Sequence, residues 1–208
     1  MERYDISKQL SFIDYRKNFA AEKCVSIWLG GSFKKGTATR YSDVDIYINC
    51  NAGQLKDFIY GRGKPVYIAV TANPPGIFVI IYDSGLALDL RVVKNLGGQQ
   101  YFSLSDAATV WDIDDRIYKY FPRCAGPDTG RLFHRARIKH LRGKSRRAFS
   151  LLSEIAREIG CGYIPTENFA EDFDFVLKEW KKKNTMAEGL ERETEYLKKE
   201  FEKIKTGV

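Results

Sequence analysis

Three aspartates carry the chemistry for which this sequence is equipped. Asp43 and Asp45 stand two apart in Ser42-Asp-Val-Asp-Ile46, and Asp89 stands alone in Leu86-Ala-Leu-Asp-Leu-Arg-Val-Val93. Side chains at i and i+2 of a strand share a face, so a strand over 43–49 points both carboxylates the same way. Like charges so placed repel unless a cation lies between them. A hard cation such as Mg²⁺ accepts two carboxylates as an anchor, with waters and substrate phosphates in its other positions. Asp89, inside an apolar run, is expensive to bury without a partner, and a metal or the Asp43/Asp45 pair supplies one. The plainer alternatives are an exposed polar strand face for Asp-x-Asp and Arg91 as a structural counter-ion for Asp89.

A second feature precedes them. Gly30-Gly31-Ser32 directly follows the strand-like Val25-Ser-Ile-Trp-Leu29. Glycines there let the backbone approach a ligand closely, and a helix starting at Ser32 would aim free N–H groups and its positive end at phosphate. Ser32 adds a hydroxyl, and Lys34 and Lys35 add charge. Taken alone, the segment also reads as a simple turn with an N-cap serine. In conjunction with strand-borne carboxylates it suits phosphoryl or nucleotidyl transfer, which asks a protein mainly for positioning and charge neutralisation.

The elements that must position these residues are legible as periodic segments. Ile6 to Glu22 has apolar residues at Leu10, Ile13, Phe19 and Ala20 and predicts an amphipathic helix. Strands are predicted at 25–29, at 43–49 with Val44, Ile46 and Ile48 on one face, and at 66–71, 76–82 and 86–93, with Asn73-Pro-Pro-Gly76 as a turn. After Gly97-Gly98 the pattern turns helical, over 103–120, 130–142, 144–159, 168–183 and 186–205. Ala148, Leu151, Leu152, Ile155, Ala156 and Ile159 form an apolar stripe. The expected organisation is α/β over residues 1–98, followed by a helical domain over 99–208.

Composition agrees with a chain that buries a core: 44% of its 208 residues are hydrophobic and 29% charged. No apolar run approaches the ~20 residues needed to cross a bilayer. The charged start, Met1-Glu-Arg-Tyr-Asp, is unlike a secretory signal, so the expected location is cytoplasmic and no membrane partner is expected. Four cysteines, at 24, 50, 124 and 161, have neither metal-site nor disulfide spacing. The net charge of +7 is concentrated: residues 128–160 hold nine Lys and Arg against three Asp and Glu. Arg131, Arg135, Arg137, Lys139, Arg142, Lys144, Arg146 and Arg147 lie there with both histidines, His134 and His140. Such a cluster suits an anionic partner, triphosphate or nucleic acid. His134 and His140 are not spaced as a ligand pair on one helix face. Asp112, Asp114 and Asp115 form an acidic knot that reads as a solvated helix face or a contact for a cationic acceptor. There is no P-loop, kinase or hydrolase signature.

The run Gly31-Ser32-Phe-Lys-Lys35-Gly36-Thr-Ala-Thr-Arg-Tyr-Ser42-Asp43-Val-Asp45-Ile46 resembles the signature of the polymerase β-like nucleotidyltransferase superfamily. Its spacing is similar to that of stand-alone members, including antibiotic nucleotidyltransferases acting on aminoglycosides or lincosamides. The resemblance covers about residues 25–93 and implies an α/β nucleotidyltransferase fold, a mixed, twisted sheet flanked by helices, followed by a C-terminal helical bundle. It also implies that Gly31 and Ser32 hold the triphosphate of ATP or another NTP, and that Asp43 and Asp45 bind Mg²⁺. Asp89 would match the third carboxylate, which completes the metal site or acts as base on an acceptor hydroxyl. Lys35 stands where many members have an arginine, with a phosphate contact implied. Two enzyme readings, differing in acceptor, and one non-enzyme reading follow. A small molecule is favoured, RNA or tRNA fits the basic segment 131–147, and a non-catalytic nucleotide-binding relative is the third.

Overall fold

The computed structural model describes residues 3–63, 65–72, 75–93 and 129–206. The chain divides into two compact units, Met1–Pro127 and Asp128–Val208. The domain boundary expected at residues 98/99, the helix expected over 103–120 and the acidic knot at 112–115 lie outside the described residues.

In the first unit the order is α1 (Ile6–Lys23), β1 (Ser26–Leu29), α2 (Gly31–Lys34), β2 (Val44–Asn49), α3 (Ala52–Tyr60), β3 (Pro65–Ala72), β4 (Pro75–Tyr82) and β5 (Ala87–Val92). The five strands form one mixed sheet in the order β1-β2-β5-β4-β3. β2 and β5 run parallel, and the other neighbours are antiparallel. This is the mixed sheet flanked by helices that the sequence predicts.

Alternation decides the faces of the two central strands. Val44, Ile46 and Ile48 of β2 pair in register with Leu88, Leu90 and Val92 of β5, and all six enter the core. Phe12, Ile13 and Phe19 of α1 and Leu55, Phe58 and Ile59 of α3 join them. Phe12, Phe19 and Phe58 meet edge to face with ring centroids 5.2–5.6 Å apart, a favoured aromatic geometry. Leu10, expected on the inner side of α1, is instead about half exposed, and Phe12 is buried in the core. With only four apolar positions assigned over five turns, a rotation of the helix by one residue is not resolvable from periodicity.

α3 has no counterpart among the predicted helices. Its signal is local: the Asn51 side chain accepts from the Gln54 N–H while the Gln54 side chain accepts from the Asn51 N–H, a complete capping box. Gln54 Nε2 also donates to the Lys23 carbonyl, tying the start of α3 to the end of α1.

The second unit contains α4 (Thr129–Leu141), α5 (Ser145–Ile159), α6 (Phe169–Lys181) and α7 (Glu188–Thr206). α4 packs against α5, α6 and α7, and α5 against α6. The stripe expected on α5 is buried from Ala148 to Ala156, with Ile159 at its edge. Phe133, Phe173 and Trp180 stack edge to face across α4 and α6, and the Trp180 indole donates to Thr129 Oγ1. No helix among the described residues is long and apolar enough to cross a membrane.

Candidate active site

β1 ends at Leu29, and the chain turns at once into α2. The Gly30 N–H donates to the Asp45 carbonyl at 2.8 Å, so the turn is anchored to β2 beside the aspartate. Both glycines are there for space. A Cβ on Gly30 would lie 2.7 Å from Cε2 of the Tyr47 ring. Gly31 has φ +56°, and a Cβ there would lie 1.6 Å from Asp45 Oδ2. Only glycine combines that backbone conformation with that approach.

α2 is a single turn of four residues that begins at Gly31, one residue before the start expected at Ser32. A turn of this length develops little macrodipole, which grows from aligned peptide units. What the loop offers an anionic ligand is therefore its backbone N–H groups and one hydroxyl. Ser32 Oγ is buried and has no hydrogen-bond partner among the described residues. An unmade bond of that kind is costly in a free protein, and a ligand oxygen would complete it. Lys34 and Lys35 are exposed beside it.

From Lys35 the chain loops to β2, and buried polar contacts fix its path. Ser42 Oγ accepts from the Thr39 N–H, and the Ser42 N–H donates to the Thr39 carbonyl. Gln9, almost fully buried on α1, donates from Nε2 to the Arg40 carbonyl at 2.9 Å. Tyr41 packs against Tyr4. These contacts deliver Asp43 to the first position before β2, with burial alternating from Ser42 onward. Gln9 and Ser42 are not singled out by the sequence, since nothing local distinguishes a supporting polar residue from a surface one.

On the sheet face opposite the core, Asp45 of β2 pairs in register with Asp89 of β5, and Tyr47 with Arg91. In a parallel pair, register partners project from the same face. Asp45 and Asp89 are thus adjacent on neighbouring strands, and Asp43 precedes Asp45 by two residues, just before β2. Arg91, read from sequence as a counter-ion for Asp89, forms its ion pair with Asp45 instead, Nη1 to Oδ1 at 3.8 Å. Its guanidinium lies 5.3 Å from the centroid of the Tyr47 ring, a cation–π distance.

The donor set fits a hard cation: carboxylate oxygens from two neighbouring strands, with the Gly30-Gly31-Ser32 turn beside them. Among the described residues, no three His, Cys, Asp or Glu side chains converge closely enough to form a closed ligand cage. A cation such as Mg²⁺ does not require one, because waters and substrate oxygens complete its octahedron.

The basic cluster is divided by the fold of the second unit. Arg137 is buried: it donates to the Thr194 carbonyl at 2.9 Å, lies 3.8 Å from Asp174 and stacks 3.9 Å over Phe173. His134 is buried, and His140 stacks on Phe169 with ring centroids 4.1 Å apart. Lys144, Arg146 and Arg147 are exposed, and Arg131, Arg135, Lys139 and Arg142 are half-buried.

The mixed sheet thus brings Asp45 and Asp89 into register beside the Gly-Gly-Ser turn. Residues 13–113 match the family model of the nucleotidyltransferase domain, and Gly31, Ser32, Lys35, Asp43, Asp45 and Asp89 all fall inside the match. The matched segment, just under half of the chain's length, is similar to the nucleotidyltransferase domain, in line with the resemblance to the polymerase β-like nucleotidyltransferase superfamily. No curated protein matches the chain.

Proposed function

We propose that the protein is a Mg²⁺-dependent nucleotidyltransferase that moves a nucleoside monophosphate, from ATP or another NTP, onto a hydroxyl of a small-molecule acceptor. The observation that carries this reading is the register of Asp45 with Asp89, beside a glycine whose backbone rests on the Asp45 carboxylate. Asp43 and Asp45 would hold Mg²⁺, with Asp89 completing the site. The ion, when bound, neutralises phosphate charge and polarises the α-phosphorus. The Gly31 backbone and the Ser32 hydroxyl hold the triphosphate, and Lys35 adds positive charge from the exposed side. The acceptor hydroxyl displaces pyrophosphate from the α-phosphorus, and its proton passes to the Asp89 carboxylate. Preorganised charge and orientation supply most of the acceleration in such a reaction.

The partial burial of the basic cluster favours a small acceptor over RNA. Arg137, His134 and His140 are engaged within the helical unit, which leaves fewer cations to neutralise a phosphate backbone. An aminoglycoside- or lincosamide-like antibiotic is the class of acceptor inferred. RNA is the second reading, resting on the exposed Lys144, Arg146 and Arg147. Incubation with each labelled NTP, Mg²⁺ and separate pools of antibiotics, tRNA and protein tests this directly. Label in the antibiotic pool is the expected result. Label in tRNA alone replaces the small-molecule reading, and no label in any pool with any NTP removes the enzymatic one.

A further inference from the structure

Arg91 presents its guanidinium to the candidate metal site from inside the sheet. Its side chain and that of Asp45 are 18% and 22% exposed, so their charges are only partly screened by water. An arginine installed to brace a carboxylate ordinarily makes paired hydrogen bonds at well under 3 Å. This one does not. Nη1 stands 3.8 Å from Asp45 Oδ1, beyond hydrogen-bond length, and is buried with no hydrogen-bond partner among the described residues.

Two further contacts define its position. The other Asp45 oxygen, Oδ2, lies against Gly31, so the carboxylate is confined between the turn on one side and Arg91 on the other. The guanidinium also lies over the ring of Tyr47, the register partner of Arg91 across β2 and β5. The ring offers a second, charge-compatible seat if the contact with Asp45 is given up.

We propose that Arg91 is the resident counter-ion of the metal-free site, holding Asp45 through charge alone and competing with a divalent cation for Oδ1. In the absence of metal, its positive charge offsets the repulsion between the register-paired Asp45 and Asp89. A divalent cation seated on the same carboxylates repels the guanidinium, and Arg91 yields Oδ1 while keeping its place over Tyr47. Arg91 is on this view a positioning residue that sets how much metal is needed to assemble the site. The inference rests on the metal reading of Asp43, Asp45 and Asp89 proposed above.

The test uses the full-length protein and Mn²⁺ as probe, with bound ion counted by electron paramagnetic resonance of the free ion. Arg91→Gln is expected to bind Mn²⁺ about two- to fivefold more tightly than wild type, the range open to a partly exposed ion pair. In chelator it is expected to melt below wild type, and saturating Mn²⁺ is expected to raise its melting temperature by more. Arg91→Met, which keeps the apolar stem over Tyr47, serves as the second variant should the glutamine disturb folding, and Arg91→Lys is expected to bind Mn²⁺ much as wild type does. Equal or weaker Mn²⁺ binding by the uncharged variants overturns the competition while leaving the metal site standing. If neither wild type nor any variant binds Mn²⁺ at millimolar concentration, with or without NTP, the metal reading itself is overturned.

Discussion

Asp45 Oδ2 occupies the space into which a side chain at Gly31 would have to grow, 1.6 Å from the position of its Cβ. The Gly30-Gly31-Ser32 turn and the strand that carries Asp45 are therefore in direct contact. A substitution at one must disturb the other. Gly31→Ala is expected to lose transfer and to cost more stability than the ~1–2 kcal/mol of a left-handed alanine alone, because strand or carboxylate must also move. Gly36, at φ +68° with open space around its Cβ position, is the control. Gly36→Ala is expected to show only the backbone cost and to keep activity. Thermal melts and label transfer on the two variants check this, and matching behaviour would remove the special role of Gly31.

Ser32→Ala separates stability from binding. The hydroxyl it removes is buried and unsatisfied, so the free protein is expected to be as stable as wild type or up to about 1 kcal/mol more stable. The rise in melting temperature with saturating Mg-NTP is expected to shrink, because ligand stabilisation follows affinity for the native state. A destabilised variant with an unchanged ligand shift would reverse the assignment.

Asp45 and Asp89 are expected to be equally necessary for turnover and opposite in their effect on stability. Asp89→Asn removes one of two register-paired like charges, so in chelator its melting temperature is expected to hold or rise. Asp45→Asn leaves Arg91 beside a neutral amide, and a loss of about 0.5–1 kcal/mol is expected. Equal stability changes of the same sign in the two variants would contradict the pairing of Arg91 with Asp45.

Alkaline pH is expected to weaken the first unit through Cys50. Burial pushes this thiol up to about 12 from the usual 9.0. Both states carry the neutral thiol below pH 9, and between 9 and 12 the unfolded chain ionises first. Stability therefore falls as pH rises, by up to about 1.4 kcal/mol per pH unit for this group. Tyr82, also raised by burial and donating its hydroxyl to the Ile59 carbonyl, adds to the same trend at higher pH. Urea midpoints from pH 8 to 11 on wild type and Cys50→Ala check the sign, with a shallower decline expected in the variant.

The acceptor classes separate on a salt series. Replacing Arg135, Arg142 and Arg146 with Gln is expected to leave Mg-NTP binding intact. If RNA is the acceptor, tRNA affinity falls steeply with salt, and the triple variant flattens the log–log slope by about one unit for each phosphate it no longer neutralises. With a small-molecule acceptor, tRNA binding vanishes near physiological salt in both proteins. Arg137 is omitted because its replacement would strip the Thr194 carbonyl and Phe173 of their buried partner.

What can be read from the sequence is whatever repeats within a few residues. Alternation in Asp43-Val-Asp-Ile-Tyr-Ile48 places two carboxylates on one face, and a glycine pair after a strand marks a close backbone approach. The five strands and the four C-terminal helices are legible for the same reason, as are most of the buried positions on α5. The short helix α3 carries its own local signal in Asn51 and Gln54, which apolar periodicity does not register. Pairings between distant segments are not legible. Only the parallel register of β2 with β5 sets Asp45 beside Asp89 and turns Arg91 toward Asp45, because strand order depends on which apolar faces pack together and not on spacing along the chain. Burial likewise splits a single basic run into Arg137, built into the helical unit, and Arg146, left in solvent. Charge density is a property of sequence, whereas access to it is decided when the helices bury their apolar sides and carry neighbouring cations inward with them.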